Sequence, residues 1–204
     1  MSVLRLSLLL GSLLFTLEAC GAAALPREAV TYNDRGAVLL GAGDLDQAEA
    51  SFRLALEFHP GFSEPHANLG VVAMGRRDFR AARDHFRTAT ELNEDFAVAW
   101  ANWGAAEEHL GEWARAEERY ERALSIDPAL AFARRNLALL LLRQGRNAEA
   151  RAELLRLLQV QPTAEARGML SHAEQRLGLR GAPTRAEPPV SSAVGEEWAL
   201  SQPE

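Results

Sequence analysis

Residues Ala97–Leu130 read AVAWANWGAAEEHLGEWARAEERYERALSIDPAL, and the pattern of this stretch returns on both sides of it. Steps of 34 residues from Gly36 meet Gly70, Gly104 and Ala138, and the same steps from Ala48 meet Ala82, Ala116 and Ala150. Three further series keep the phase: Phe52, Phe86, Tyr120 and Leu154; Ala55, Ala89, Ala123 and Leu157; Pro60, Glu94, Pro128 and Pro162. A fixed period of this length marks a supersecondary unit that buries its apolar face only by stacking on its neighbours. The recurring small residues fall where two helices must approach closely.

The units are 29–62, 63–96, 97–130 and 131–164, and each divides into two helices. The spacing predicts helices over Glu28–Leu40 and Asp44–Phe58, Glu64–Met74 and Asp78–Leu92, Val98–Leu110 and Trp113–Ile126, and Ala131–Arg143 and Ala148–Val160. Gly41-Ala42-Gly43, Gly111 and Gly145 separate helices of a pair, because glycine accepts the left-handed turn that ends a helix. Asp44 and Ser63 are expected to cap the helices that follow them, with Pro65 in a first turn. From Ala164 to Leu177 one apolar stripe runs through Ala166, Met169, Leu170, Ala173 and Leu177. A helix of that kind covers the last unit's open face and turns polar residues outward.

In the central unit, Trp100, Trp103-Gly104, Ala116, Tyr120, Ala123 and Pro128 resemble the tetratricopeptide repeat. The resemblance covers about Ala29 to Leu179 and implies an all-α fold. That fold is a right-handed superhelix of four helix-turn-helix repeats within 28–180, closed by a C-terminal capping helix at 164–179. It also implies that Trp100 and Trp113 are core aromatics, and that the first helices of successive repeats line a concave groove.

The 204 residues carry 48% hydrophobic and 25% charged side chains, the balance of a globular chain. A net charge of −6 argues against nucleic acid as a partner. All 22 basic residues are Arg. At the start, Arg5 and the apolar run Leu6 to Leu17 read as an export signal over 1–19, too short to span a bilayer. Leu17-Glu18-Ala19-Cys20 resembles the lipobox of bacterial lipoproteins, with Glu18 where that pattern has a small or uncharged residue. The resemblance implies lipidation of Cys20 by a diacylglyceryl thioether and an N-acyl chain, a short linker over 20–27, and, with Gly21 rather than Asp next, the outer membrane facing the periplasm. Secretion after cleavage in Gly21-Ala22-Ala23-Ala24 is the competing reading.

Residues 181–204 change to Gly, Ala, Pro, Ser and Glu, with Pro183 and Pro188-Pro189 interrupting any helix, the composition of a disordered tail. Within it Glu196-Glu197-Trp198-Ala199-Leu200 is a candidate docking motif; the plainer reading is a tail that contains one Trp.

No phosphate loop, nucleophile elbow or paired-cysteine site is present, so the sequence implies no enzyme and no cofactor. His66 and His85 face each other across the second repeat without a third ligand for a metal. What remains is recognition. Asp34, Asn68, Asn102 and Asn136 fall 34 apart on the first helices, and amides so placed can satisfy the backbone of an extended peptide whatever its sequence. Around them the groove is expected to show Asn33, Ala37, Ala67, Val71, Met74, Val98, Ala101, Ala105, Phe132, Arg135, Leu139 and Arg143. Of the basic and amide positions of the chaperone-tail carboxylate clamp only Asn68 matches, which disfavours that ligand. Repeat three sets three arginines against seven carboxylates and repeat four six against two, so these neighbours either attract or orient a partner. The expected function is a protein- or peptide-binding adaptor of the cell envelope. A pilotin-like assembly factor for a type IV pilus secretin and a non-lipidated periplasmic scaffold are the alternatives.

Overall fold

The computed structural model describes residues 24–179, and among them every regular element is an α-helix. The order is α1 (Arg27–Gly41), α2 (Leu45–Phe58), α3 (Ser63–Gly75), α4 (Phe79–Leu92), α5 (Ala97–His109), α6 (Trp113–Ile126), α7 (Ala131–Arg143), α8 (Asn147–Val160) and α9 (Ala164–Arg176). Helices pack on their chain neighbours throughout. Successive odd helices, α1 on α3, α3 on α5 and α5 on α7, also touch. The even helices make no comparable contact, so the stack curves with the odd helices inside and the even ones outside. None of these helices is long and apolar enough to cross a membrane. Cys20 and residues 181–204 lie outside the described residues.

Within each of the first three pairs an aromatic ring lies against a glycine. A Cβ on Gly70 would stand 2.6 Å from Phe86 Cε1, one on Gly36 would meet Phe52, and one on Gly104 would meet Tyr120. The three rings are fully buried. Burial of a ring of this size stabilises by roughly 2–3 kcal/mol, which depends on the glycine's missing side chain. In the fourth pair Ala138 and Leu154 share one apolar cluster, the wider alanine answered by a side chain thinner than a ring.

The turn inside each pair is one motif used four times. Gly43 (φ 79°), Gly111 (φ 78°) and Gly145 (φ 74°) occupy the left-handed region, and the next amide reaches back to the carbonyl five residues earlier, as Asp44 N to Leu39 O at 3.0 Å. In the second pair the place belongs to Arg77, at φ 61°. Asp44 caps α2 through Gln47 N (3.1 Å) and Asp78 caps α4 through Ala81 N (3.0 Å). Ser63 does not cap α3. It is the first helical residue, and its hydroxyl donates to Glu64 instead (2.8 Å), while Phe62 takes the cap position and buries its ring. Helix α9 closes with the same turn at Gly178 (φ 70°).

Ion pairs join consecutive units through one position of the even helices. Glu49 meets Arg76, Arg83 meets Glu112 (3.7 Å), Glu117 meets Arg146 (2.6 Å), and Arg151 meets Glu174 on α9 (3.3 Å). The sign alternates along the stack. Arg143 adds a pair with Glu108, so repeats three and four, of opposite charge, attract across their boundary.

Candidate interaction groove

The residues expected to line the inner face fall into three groups. Asp34 is exposed, and Asn33, Ala37, Asn68, Phe132, Asn136 and Leu139 are half-buried. Val98 (41% exposed) and Arg143 reach solvent, and Arg135 extends toward Glu165 (3.8 Å). By contrast Ala67, Val71, Met74, Asn102 and Ala105 are buried, because α3 and α5 are pressed between neighbours on both sides. Ala101 does not reach the surface at all. It packs in the cluster of Ala133 and Leu137 beneath α7.

The four ladder positions are therefore unequal. Asn68 Nδ2 donates to Asn33 Oδ1 across the α1–α3 boundary (3.0 Å). Asn136 donates to the Tyr120 hydroxyl, which itself donates to Glu108 Oε2 (3.0 Å), and Glu108 holds Arg143. Burial, with Glu108 beside it, pushes the Tyr120 phenol well up, so it stays a neutral donor. The chain of contacts runs from α6 through α5 to α7 and fixes both Asn136 and Arg143 from beneath. Asp34 and Asn68 stay accessible at one end of the face, Val98, Phe132, Asn136, Leu139 and Arg143 toward the other.

A second periodic position joins the two helices of each unit. Tyr32 stacks on Phe58 (5.6 Å), His66 faces His85 (6.4 Å), Trp100 receives Arg119 (5.7 Å), and Arg134 pairs with Glu153 (2.5 Å). Arg119 also lies 4.1 Å over Trp103, itself stacked on Trp100. Beneath this cluster Glu107 is 2% exposed where the other units carry Leu39, Ala73 and Leu141. Burial raises its pKa, opposed by Arg119 at 3.7 Å. His85 is lowered by burial, then by His66 and Arg53. Among the described residues no group of three or more His, Cys, Asp or Glu is arranged to hold a metal.

Trp113 departs from expectation. Its ring is 45% exposed at the start of α6 rather than in the core. The equivalent Phe79 is covered by His109 of the next unit, stacked at 4.3 Å, whereas the residue equivalent to His109 one unit on is Arg143, which turns to Glu108. A cleft of about 240 Å³ on the outer side lies over Leu137 and Leu141. Most of its charges are matched internally, Arg146 to Glu117 and Glu149, Arg156 to Glu153.

Two family models described as tetratricopeptide repeat match residues 68–131 and 109–173. Among solved structures the chain is similar to the MamA protein, at 23% identity and TM-score 0.66, covering 75% of this chain and 84% of that one. The pilF protein of Pseudomonas aeruginosa is similar at 21% identity and TM-score 0.69, over 74% of this chain and 70% of its own. YrrB, described as a TPR protein with an unusual peptide-binding site, is similar at 20% identity and TM-score 0.62, over 74% and 79%. These likenesses establish the fold. No curated protein matches the chain by sequence.

Proposed function

We propose that this chain, whose residues 68–173 are tetratricopeptide repeats, is a non-catalytic adaptor that holds an extended segment of a partner protein along its inner face. The observation that carries the reading is the accessible row on the odd helices: Asp34 and Asn68 at one end, then Val98, Phe132, Asn136, Leu139 and Arg143. Amides offer a donor and an acceptor to a peptide backbone, and the apolar residues between them supply contact area. Asn136 and Arg143 are already held by Tyr120 and Glu108, so a ligand does not have to order them. The peptide-binding description of YrrB is consistent with such use of this fold.

The test is crosslinking in cells followed by mass spectrometry, then capture of the identified partner by Val98→Glu and by Asp34→Ala/Asn68→Ala. Val98 is exposed, so its replacement leaves packing intact, and circular dichroism verifies both variants. Loss of the partner with retained helix content supports the reading; full retention by both variants sinks it.

We further infer that the adaptor works at the cell envelope, from the lipobox-like Leu17-Glu18-Ala19-Cys20. Cys20→Ala is expected to move the protein from the membrane fraction to the soluble one, and unchanged fractionation would refute lipidation. The narrower role, assembly of an outer-membrane secretin, rests on that motif and on fold likeness; normal secretin multimers in a deletion strain would remove it.

A further inference from the structure

The turns inside the pairs form an edge of the stack that the groove does not use. Odd helices run in one direction, so the ends of α3, α5, α7 and α9 come out on the same side. There Arg77, at its left-handed backbone position, is exposed and makes no ion pair among the described residues. His109 lies flat on Phe79 (4.3 Å), two residues after Arg77, which brings the end of α5 against the turn that carries Arg77. Trp113 stands exposed immediately after the next turn. The nearby carboxylates are engaged elsewhere: Glu108 with Arg143 and Tyr120, Glu112 with Arg115 and Arg83, Asp78 with the amide of Ala81. The edge thus offers the unpaired guanidinium of Arg77 beside a bare indole.

We propose that this edge is the docking site for the chain's own segment Glu196-Glu197-Trp198-Ala199-Leu200, its carboxylates meeting Arg77 and the indole of Trp198 lying on Trp113. Charge and ring complementarity is the first argument, since the segment has two acids, no base and one aromatic. Attachment is the second. Helix α9 closes with the turn motif of the other odd helices, so Leu179 stands at the same edge. At roughly 10 Å per packed helix step, α5 and α3 lie about 20–30 Å from α9. The 16 residues from Arg180 to Gly195 have a contour of roughly 50–55 Å at full extension, so the tether is long enough for the span. A tether that can reach makes the contact intramolecular, which favours filling a site whose free affinity is weak. In this arrangement a protein that uses the same edge must first displace the tail.

The test compares amide and indole spectra of the ¹⁵N-labelled full chain with those of the full-chain variant Glu196→Gln/Glu197→Gln/Trp198→Ala. Shifts confined to residues 77–79, 109–113 and the Trp113 indole N–H are expected, unchanged by tenfold dilution. A synthetic peptide of residues 193–204 added to that variant should restore the parent positions saturably. Adding Arg77→Gly, a change the backbone there favours, or Trp113→Ala to that variant should weaken the peptide at least tenfold. Identical spectra would overturn the proposal. So would shifts centred on Asn68, Val98 and Asn102, which place the segment in the groove, and so would shifts that fade on dilution, which make the interaction one between copies.

Discussion

Arg134 and Glu153 meet at 2.5 Å between the two helices of the fourth repeat, each side chain about nine-tenths buried, at the positions that hold Trp100 and Arg119 one repeat earlier. The Arg134 guanidinium also donates to the carbonyl of Pro128 (2.5 Å), so the arginine ties α7 to α8 and to the loop before α7. Removing one member of a buried pair leaves the other charge without its partner, at about 3–5 kcal/mol. Glu153 keeps Arg156, so Arg134→Met is expected near the lower end, about 3 kcal/mol by urea unfolding. Arg134→Met/Glu153→Leu should recover most of that loss. A double variant no more stable than the single one would contradict a charge-pair origin.

Gly70 and Gly168 are expected to respond to alanine with opposite signs. At Gly70 the new methyl would stand 2.6 Å from the Phe86 ring, and forcing that ring aside should destabilise by roughly 1–3 kcal/mol. At Gly168, inside α9, nothing lies within 4 Å of the added carbon, so alanine should stabilise by roughly 0.5–1 kcal/mol through helix propensity alone. Thermal melts of the two variants check both.

Tyr120→Phe removes one hydroxyl from the contact chain of Asn136, Glu108 and Arg143 while keeping the ring against Gly104. Glu108 retains Arg143, so the expected cost is about 1 kcal/mol. A loss several times larger would mean that the network, rather than the ring, holds α5, α6 and α7 together.

Two titrating groups, Glu107 buried and His85 half-buried, give stability opposite pH slopes. Glu107 has its pKa raised above the ordinary 4.5 by burial, so the folded state binds the proton more tightly and this group's penalty is relieved as pH falls through its folded value. Glu107→Gln should therefore stabilise at pH 7, an advantage that shrinks as pH approaches 4.5. His85 has its pKa lowered below 6.5, mainly by burial, so the unfolded state binds the proton more tightly and stability is lost as pH falls below 6.5. His85→Leu should flatten that loss between pH 6.5 and 5. Urea midpoints at a series of pH values separate the two.

The 34-residue period made the fold legible, because a glycine under a ring and a glycine in a turn are demands of backbone geometry that recur wherever the geometry does. The sites were less legible because they depend on how each repeated position is filled. Glu107 reads as one more acidic residue in an acidic repeat, and only its burial at a place occupied elsewhere by Leu39, Ala73 and Leu141 distinguishes it. Arg134 likewise counts as surface charge until its partner across the helix pair is known. Trp113 misled for the converse reason: a core-type residue stays exposed when its covering neighbour is an arginine engaged elsewhere. On the odd helices the amides recur at one sequence position, but their exposure differs, and the depth of Asn102 follows from how tightly α5 is enclosed.

The alternating ion pairs give the array a parity. Glu49, Arg83, Glu117 and Arg151 each meet the opposite sign on the next unit, at Arg76, Glu112, Arg146 and Glu174. If a unit were skipped, by deletion or by exchange between two chains, Glu49 would confront Glu112, Arg83 would confront Arg146 and Glu117 would confront Glu174. Each exposed pair contributes only about 0–1 kcal/mol when matched, and whichever unit is skipped, the one new junction turns from attractive to repulsive. Omitting two consecutive units restores attraction at the new junction, Glu49 to Arg146 or Arg83 to Glu174. Tiles of one shape are thereby biased toward one order, with shortening by an even number the error that charge would tolerate.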